Sequence, residues 1–396
     1  MKKSFRSTLR LPLLAALGLS TIACGDDGEE QSGVSRAQVV ADYATLVEAT
    51  YADALAEAEA LHEALHELTD EPSEETFSAA KDAWLASRTP YGQTEGFRFY
   101  QGPIDNDDDG PEGLINAWPI DESYIDYVAG PDDSILVGGI VNLPDDYPDI
   151  SQDVIAELNE KETETTITTG YHAIEFLLWG QDQSADGPGA RPYTDYVTGE
   201  DGTAENQDRR GKYLLTAADL LVVNLTSVHE QWQADEANYR ADFEALDPDQ
   251  AIAKMLLGMG SLVGAELAGE RMTVAYDNKD QENEHSCFSD NTKADLLNNA
   301  KSVQNVLLGK YRDVDGIGID ELVEEKDAAL AETLREQIQI AIDDIEAIPD
   351  TFDNAILGDD ESEGRVAVAA AIDSLWDFRD SLEEAAGVLD IPLDLE

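Results

Sequence analysis

Cysteine is nearly absent from this chain, which has only Cys24 and Cys287 among its 396 residues. Cys24 ends an apolar leader and is the residue that we expect to carry a lipid, so a single free thiol remains. One thiol cannot form a disulfide within the chain. The fold must therefore be held by a hydrophobic core, and a hydrophobic fraction of 42% supplies enough residues to build one.

Basic residues are also scarce. The chain has 25 Lys and Arg residues against 85 Asp and Glu residues, which gives a formal charge of -60. Such an acidic surface repels nucleic acid phosphates and anionic membranes, so we expect no nucleic acid partner. We interpret most of these carboxylates as a solvated surface whose charge is screened by salt.

An apolar run lies at the N-terminus. The run from Leu11 to Ala23 has 13 residues, which is too short to cross a membrane. It follows four basic residues, Lys2, Lys3, Arg6 and Arg10. This arrangement is typical of a signal peptide, which we assign to residues 1–23. We expect no later stretch to be apolar enough to span a membrane.

The leader ends in Thr21-Ile-Ala-Cys24, which resembles a bacterial lipobox with threonine in place of the more usual leucine. Signal peptidase II would cleave before Cys24, and the cysteine would carry the lipid; plain secretion with cleavage nearby is the alternative. Residues 24–36 are predicted to form a flexible acidic tether. These features predict a lipid-anchored protein of the cell envelope, with the periplasmic side of the outer membrane favoured.

The sequence has no GxSxG elbow, P-loop or dinucleotide-binding glycine pattern. Its chemistry is concentrated in residues 169–180, where His172 and Glu175 stand in an otherwise uncharged apolar run. On a helix these two side chains share one face. A buried carboxylate must be paired or bound to a metal, and an imidazole beside a carboxylate suits zinc or iron. The alternative is a core histidine that is hydrogen-bonded to its neighbouring glutamate.

A second histidine pair matches the HExxH motif of zinc proteases. His62-Glu63-Ala64-Leu65-His66 lies in a predicted helix from Ser35 to about Leu68. A zincin helix normally follows the edge of a β-sheet and precedes a third ligand, and no strand is predicted before this helix. We therefore favour an exposed helical face at His62 and His66, with an HExxH zincin as the alternative.

Other candidates lie near rare cations and in an uncommon loop. Arg88 and Arg98 are rare cations in this acidic chain, and they either pair with structural carboxylates or hold an anionic ligand. Glu95 lies between them after a Pro/Gly turn, where it either reaches into a site or is a solvated loop glutamate. The loop after residue 277 contains His285 and Cys287, which are possible metal ligands. We favour capping and turn roles for the polar residues of this loop, which are Ser286, Ser289 and Asp290.

The remaining pattern is helical. Helices are predicted over 73–87, 151–161, 170–180 and 208–240. Another is predicted to begin at Asp247 or Asp249, and three more are predicted over 293–308, 320–347 and 363–389. The polar, glycine-rich crossing at 181–206 is the best domain boundary, which separates an N-terminal lobe (37–205) from a C-terminal lobe (206–396). The segment Gly264-Ala-Glu266 is similar to Gly170-Tyr-His172, which suggests that the lobes are duplicates.

Gly170-Tyr-His172-Ala-Ile-Glu175 resembles the GxHxxE signature of the imelysin-like family. Residues 83–105, 112–128 and 277–292 resemble its iron-regulated lipoprotein branch. The resemblance implies an all-α fold of two helical-bundle lobes with long irregular loops, with GxHxxE near the lobe interface. It also implies an envelope lipoprotein tied to iron uptake. One departure is Lys293, which stands where we expect a histidine.

The resulting hypothesis is a lipid-anchored protein that binds a divalent or trivalent metal ion, with iron favoured and zinc possible. His172, Glu175 and Glu95 would be the ligands, and Arg88 and Arg271 would support them or orient a bound anion. An envelope iron-transport protein is the expected partner. One alternative is a zinc metallopeptidase of the insulin-cleaving type in which Glu175 is the general base. Another is a scaffold in which the His172–Glu175 pair is structural.

Overall fold

Helices form nearly all the regular structure of this computed structural model, which describes residues 33–131, 134–184 and 187–395. Among these residues the strands are two short antiparallel hairpins. They pair β1 (Val128–Ala129) with β2 (Ile135–Leu136) and β3 (Lys310–Tyr311) with β4 (Val314–Asp315). The predicted all-α fold is confirmed. The signal peptide, Cys24 and most of the acidic tether lie outside the described residues.

The α-helices of the first half of the described chain are α1 Arg36–Asp70, α2 Glu74–Gly92, α3 Glu112–Ile115, α4 Glu122–Ile125, α5 Gly139–Asn142, α6 Gln152–Leu158 and α7 Gly170–Trp179. Those of the second half are α8 Gln207–Trp232, α9 Tyr239–Glu244, α10 Pro248–Ser261, α11 Val274–Asn278, α12 Thr292–Leu308, α13 Ile319–Glu324, α14 Ala328–Ala347, α15 Phe352–Leu357 and α16 Glu363–Val388. A π-helical segment, Leu262–Thr273, joins α10 to α11, and short 3₁₀ turns cover Glu95–Phe97, Tyr193–Asp195 and Gln281–Asn283.

The long helices pack in two groups. In the first group α1 packs against α2 and α8, and α7 packs against α2 and α8. In the second group α14 packs against α12 and α16, and the π-helical segment packs against the same two helices. The described residues from Val34 onward form one compact unit, because α2 also contacts α12 and α1 also contacts α10. The boundary predicted after residue 205 stays a prediction, and the packing groups α8 with the helices that precede it.

Side-chain caps explain where several helices begin. Ser73 and Thr76 form a capping box at the start of α2, and Asp247 accepts a hydrogen bond from the backbone N–H of Asp249 at the start of α10. Both helices begin where the sequence predicts, because serine and aspartate oxygens satisfy backbone N–H groups that have no partner within the helix.

The predicted helix over 208–240 is wrong at its C-terminal end. Asn238 donates from Nδ2 to the carbonyls of Glu230 and Gln233 and accepts from the N–H of Ala241, so it closes α8 and caps α9. The helix predicted over 320–347 is likewise broken, because Asp327 caps α14. A polar side chain that hydrogen-bonds the backbone competes with helix continuation.

The helix predicted to end at Ser87 continues through Pro90 to Gly92. Its last turns bury Arg88 and Tyr91, and a Cβ at Gly92 would lie 2.8 Å from the Cβ of Asn298 on α12. Tertiary packing therefore extends α2 past a residue that usually stops a helix.

The sequence predicts no stretch after the leader that is apolar enough to cross a membrane. This prediction is wrong when helices are judged by their length and composition. Among the described residues, the continuous helical stretch Pro248–Asn278 meets those criteria. Most of it is buried inside the protein, as is typical of a core helix. Gly264 lies within this stretch and does not begin a helix, whereas Gly170 begins α7, so the two similar segments differ in local structure.

Candidate functional site

Helix α7 lies in the interior, and all ten of its residues are buried. Gly170 begins it with a φ of +80°, and a Cβ at this position would lie 2.3 Å from the carbonyl oxygen of Ile115. Only glycine fits such a conformation and such a close backbone approach. The indole N–H of Trp84 donates to the carbonyl of Tyr171 at 2.9 Å, which fixes the first turn against α2.

The two charged residues of the GxHxxE motif contact each other. Nδ1 of His172 and Oε2 of Glu175 are 2.8 Å apart, as their spacing on one helix predicts. The other oxygen, Oε1, accepts from the backbone N–H of Ser289 at 2.9 Å and from its hydroxyl at 2.7 Å. Both oxygens of Glu175 therefore have partners, and Ser289 holds the glutamate rather than only shaping its own turn.

Burial changes the protonation of this pair. It raises the pKa of Glu175 to about 8, although the hydrogen bonds from Ser289 oppose the rise. Burial, assisted by the positive charge of Arg88, lowers the pKa of His172 well below its usual range. Both shifts favour the uncharged forms. In the metal-free protein the imidazole is therefore neutral at pH 7, as a metal ligand must be.

His285 is a second histidine of the site. Its ring lies 4.8 Å from that of His172, centroid to centroid, and it packs against Trp118. Nε2 of His285 is 3.2 Å from a guanidinium nitrogen of Arg88. Because arginine can only donate, Nε2 is the acceptor and Nδ1 carries the proton in neutral His285.

Arg88 is buried, and its donors are directed at other protein groups. Its Nε donates to Asp295 at 3.1 Å, and one terminal nitrogen donates to Asn116 at 2.6 Å. Asp295 in turn accepts from the hydroxyl of Ser286. Arg88 thus joins α2, α12 and the loop that carries His285, and it holds that histidine in place.

Glu95 lies on a separate arm of the network. It is fully buried, and its Oε2 accepts from Arg271 at 2.6 Å and from Arg98 at 2.8 Å. Burial acts to raise its pKa, but these two arginines outweigh that effect and lower the pKa of Glu95 to about 2. Glu95 is therefore ionised at neutral pH, and its charge acts on His172.

Arg271, which donates to Glu95, lies in the π-helical segment. Arg271 also contacts Glu266 at 2.8 Å, five residues earlier, and donates to Asn299 at 2.7 Å. A π-helix bonds residues five apart, which brings Glu266 and Arg271 onto one face. Such segments are frequent at functional sites.

Several buried polar atoms around the motif have no hydrogen-bond partner among the described residues. They are Nε2 of His172, Nδ1 of His285, Oε1 of Glu95, Nδ2 of Asn116 and Nε1 of Trp118. Native proteins rarely bury polar atoms without partners unless a water, ion or ligand satisfies them. When Glu175 is ionised and accepts from Nδ1 of His172, Nε2 of His172 is an acceptor, as is Oε1 of Glu95. The other three atoms are donors, so the set then fits a cation accompanied by an oxygen-rich group.

The structure separates some predicted candidates from this network. Lys293 points to Asp350 at 3.0 Å, so the lysine that replaces the expected histidine lies outside the contacts of His172. Cys287 is partly exposed, and desolvation raises the pKa of its thiol well above the ordinary value, so it stays protonated. His62 and His66 lie on α1, where they contact each other and Asp219.

The sequence matches the imelysin family model, peptidase family M75, over residues 47–382. The chain belongs to the imelysin family. It is 23% identical to iron-regulated protein A of Synechococcus elongatus over 382 residues, which cover 93% of this chain and 90% of that protein. The match spans both helical groups and includes the GxHxxE helix.

Two solved structures share the fold. One is assigned as an iron-regulated protein A precursor from Parabacteroides distasonis, with a TM-score of 0.68, 20% identity and coverage of 91% of this chain and 97% of that chain. The other is an imelysin-like protein from Psychrobacter arcticus, with a TM-score of 0.63, 16% identity and coverage of 91% and 98%. These likenesses show that the imelysin fold extends through nearly the whole chain.

Proposed function

We propose that this imelysin-family protein is a cell-envelope lipoprotein that binds iron as cargo at the GxHxxE site and takes part in iron uptake. The observation that carries the proposal is the unpartnered Nε2 of His172, in a ring whose Nδ1 is held by Glu175. A histidine that ligates a metal through one nitrogen commonly donates its other N–H to a carboxylate. The iron-regulated relative supports iron as the metal.

His172 and Glu95 are the ligands that the contacts favour. Each presents one buried atom with no partner among the described residues, and both atoms are types that bind iron. The sequence predicts Glu175 as a ligand, and that role stays a prediction. Because both of its oxygens have partners, its contacts support orientation of His172.

Two protein ligands do not saturate an iron ion, so we infer that a small oxygen-donor anion completes its coordination. The unpartnered donors of His285, Asn116 and Trp118 suit the oxygens of such an anion. Arg88 and Arg271 lie behind the site, where they hold His285 and Glu95. The lipid at Cys24 would keep the protein at the envelope, near a transport partner that accepts the iron.

A zinc peptidase at the same site is the second candidate. It is favoured by the pKa of about 8 for Glu175, which suits proton transfer near neutral pH. Binding is favoured over hydrolysis because His172 is only 1% exposed, and a peptide substrate must reach the metal. A peptidase would cleave an unstructured protein such as oxidised insulin B chain with zinc present, and His172→Ala would abolish the cleavage.

The proposal is tested by titrating ferric iron into the metal-free soluble form that lacks residues 1–24, with and without citrate as the oxygen-donor anion. We expect one equivalent to bind, more tightly with citrate, and His172→Ala to abolish that binding. His229→Ala is the matched control, because this α8 histidine lies outside the network. Equal iron binding by His172→Ala and the native chain would contradict the proposal.

A further inference from the structure

Three ligand-type side chains meet on the surface of the first helical group, apart from the GxHxxE network. His62 and His66 stand one turn apart on α1, and Asp219 reaches them from α8. Their ligand atoms all lie within 4.8 Å of one another, and no other set of three or more such residues in the described part of the chain does so. Nε2 of His62 is 2.6 Å from Oδ1 of Asp219, and the two imidazole rings are 4.6 Å apart.

We propose that His62, His66 and Asp219 form a second metal site, open to solvent, that binds a divalent transition-metal ion of the zinc type. Two imidazoles and one carboxylate form a donor set that zinc takes in proteins, with a water in the fourth position. The exposed side chains leave that position open: the His62 side chain is 28% exposed and the Asp219 side chain is 45% exposed. This site is independent of the iron site at His172.

The helix packing places these donors with little freedom in the backbone. Helices α1 and α8 run antiparallel, because Gly211 of α8 lies against Thr69 while Asp219 lies against His62. A Cβ at Gly211 would be 3.4 Å from the Thr69 side chain, so the helices approach closely there. Residues four apart on a helix share a face, which directs both imidazoles at α8.

The side chains need only a small adjustment to receive an ion. Donor atoms around tetrahedral zinc are about 3.4 Å apart, given bonds of about 2.1 Å. The 2.6 Å contact between His62 and Asp219 must open by less than about 1 Å, and His66 is exposed and free to turn. The ion would take the place of the hydrogen bond between Nε2 of His62 and Oδ1 of Asp219.

The surrounding charge favours a cation. Glu59, Glu63 and Asp70 lie three or four residues from His62 or His66 on the same helix, and they are all exposed. Their negative potential attracts divalent ions to this face and disfavours anions. The site differs from an HExxH zincin, because its third donor is an aspartate from a neighbouring helix and Glu63 is not among the converging donors.

The experiment titrates Zn²⁺ alone into the full-length chain in detergent, with excess Ca²⁺ to occupy the acidic surface. All chains carry His172→Ala, so zinc binding at the GxHxxE helix does not contribute. We expect one equivalent to bind, and His66→Ala and Asp219→Asn each to weaken binding by roughly tenfold or more. His229→Ala is the matched control and should leave the affinity unchanged.

A spectroscopic readout identifies the donors. Zinc-edge absorption of the loaded chain should show two imidazole nitrogens, and His66→Ala should remove one of them. Because His66 is exposed, its substitution should leave the far-ultraviolet circular dichroism and the melting temperature of the metal-free chain unchanged. The proposal is overturned if zinc does not bind stoichiometrically, or if His66→Ala and Asp219→Asn bind it as tightly as the parent chain.

Discussion

Nδ1 of His172 lies 2.8 Å from Oε2 of Glu175, and Oε1 of the same glutamate accepts two hydrogen bonds from Ser289. This chain of contacts fixes the imidazole ring and directs Nε2 away from the glutamate. The GxHxxE pattern alone does not show which of the two residues would bind a metal and which would orient the other, and the contacts distinguish these roles. In the proposed metal site His172 would present the ligand atom, and Glu175 would determine the orientation and tautomer of the ring.

Glu175→Gln tests the orienting role. An amide keeps the shape and a hydrogen bond to Nδ1 but removes the negative charge that strengthens the metal-bound imidazole. We expect iron affinity to fall by roughly 10- to 100-fold, as for other carboxylates that hydrogen-bond a metal-binding histidine, while the melting temperature stays near that of the native chain. Competition titration against a coloured chelator measures the change. If Glu175 were an essential ligand, binding would be abolished altogether; unchanged affinity would contradict both roles.

Gly170→Ala tests why glycine begins the GxHxxE helix. The added Cβ would lie 2.3 Å from the carbonyl oxygen of Ile115 at a φ of +80°. We expect the free energy of unfolding to fall by about 1–3 kcal/mol from backbone strain alone, and further from the clash. Urea denaturation measures the loss. Gly387→Ala on α16 is the control, because its Cβ would meet nothing within 4 Å, and it should be neutral or stabilising.

Arg88→Met tests whether the buried guanidinium supports the site. Asp295 would lose its buried cationic partner, and His285 would lose the donor on Nε2. Removal of one partner from a buried ion pair costs about 3–5 kcal/mol, so we expect a loss of that order in denaturant unfolding. Adding Asp295→Asn to Arg88→Met removes the uncompensated charge and should restore part of the stability. A double variant that is no more stable than Arg88→Met would contradict the pairing.

The loop that contains Glu282, Ser289 and Asp290 holds Glu175 through Ser289. Two acidic residues of this loop should make the metal-free protein more stable below neutral pH. Burial, together with neighbouring carboxylates, raises the pKa of Glu282 and of Asp290 to about 7 each. In the unfolded chain both are already ionised, so only the folded chain takes up these protons as the pH falls from about 8 to 6.5. The free energy of unfolding should therefore rise across that window.

Below about pH 6.5 the free energy of unfolding should rise less steeply as the pH falls. The pKa values of His172 and His285 are lowered in the folded chain, so the unfolded chain then binds the additional protons. Chemical denaturation at a series of pH values measures the curve. Asp290→Asn should reduce the slope of the free energy of unfolding against pH between pH 8 and 6.5. An unchanged slope would contradict the raised pKa of Asp290.

Local sequence patterns predict several features of this structure. Ser73 and Asp247 are caps that local patterns predict, and the contact of His172 with Glu175 follows from their spacing on one helix. Asn238 shows the limit of such patterns, since its side chain ends one helix and begins the next within an otherwise helical composition.

The rest of the site depends on contacts between distant parts of the chain. Ser289 is 114 residues from Glu175, and His285 lies in a loop whose polar residues look like ordinary turn formers. No local periodicity connects them. The one available signal was His285 itself, a rare residue in this chain, close to Cys287 in an uncommon loop. Asp219 gave no signal, because one aspartate among 85 acidic residues is inconspicuous.

Metal content shows whether His172 binds iron. The soluble form without residues 1–24 is purified without a histidine tag, dialysed against excess calcium and analysed by mass spectrometry, beside His172→Ala and His229→Ala. We predict about one iron per native chain, a similar content in His229→Ala, and loss of that iron in His172→Ala. Iron retained in His172→Ala, or no stoichiometric metal in the native chain, would contradict iron binding by His172.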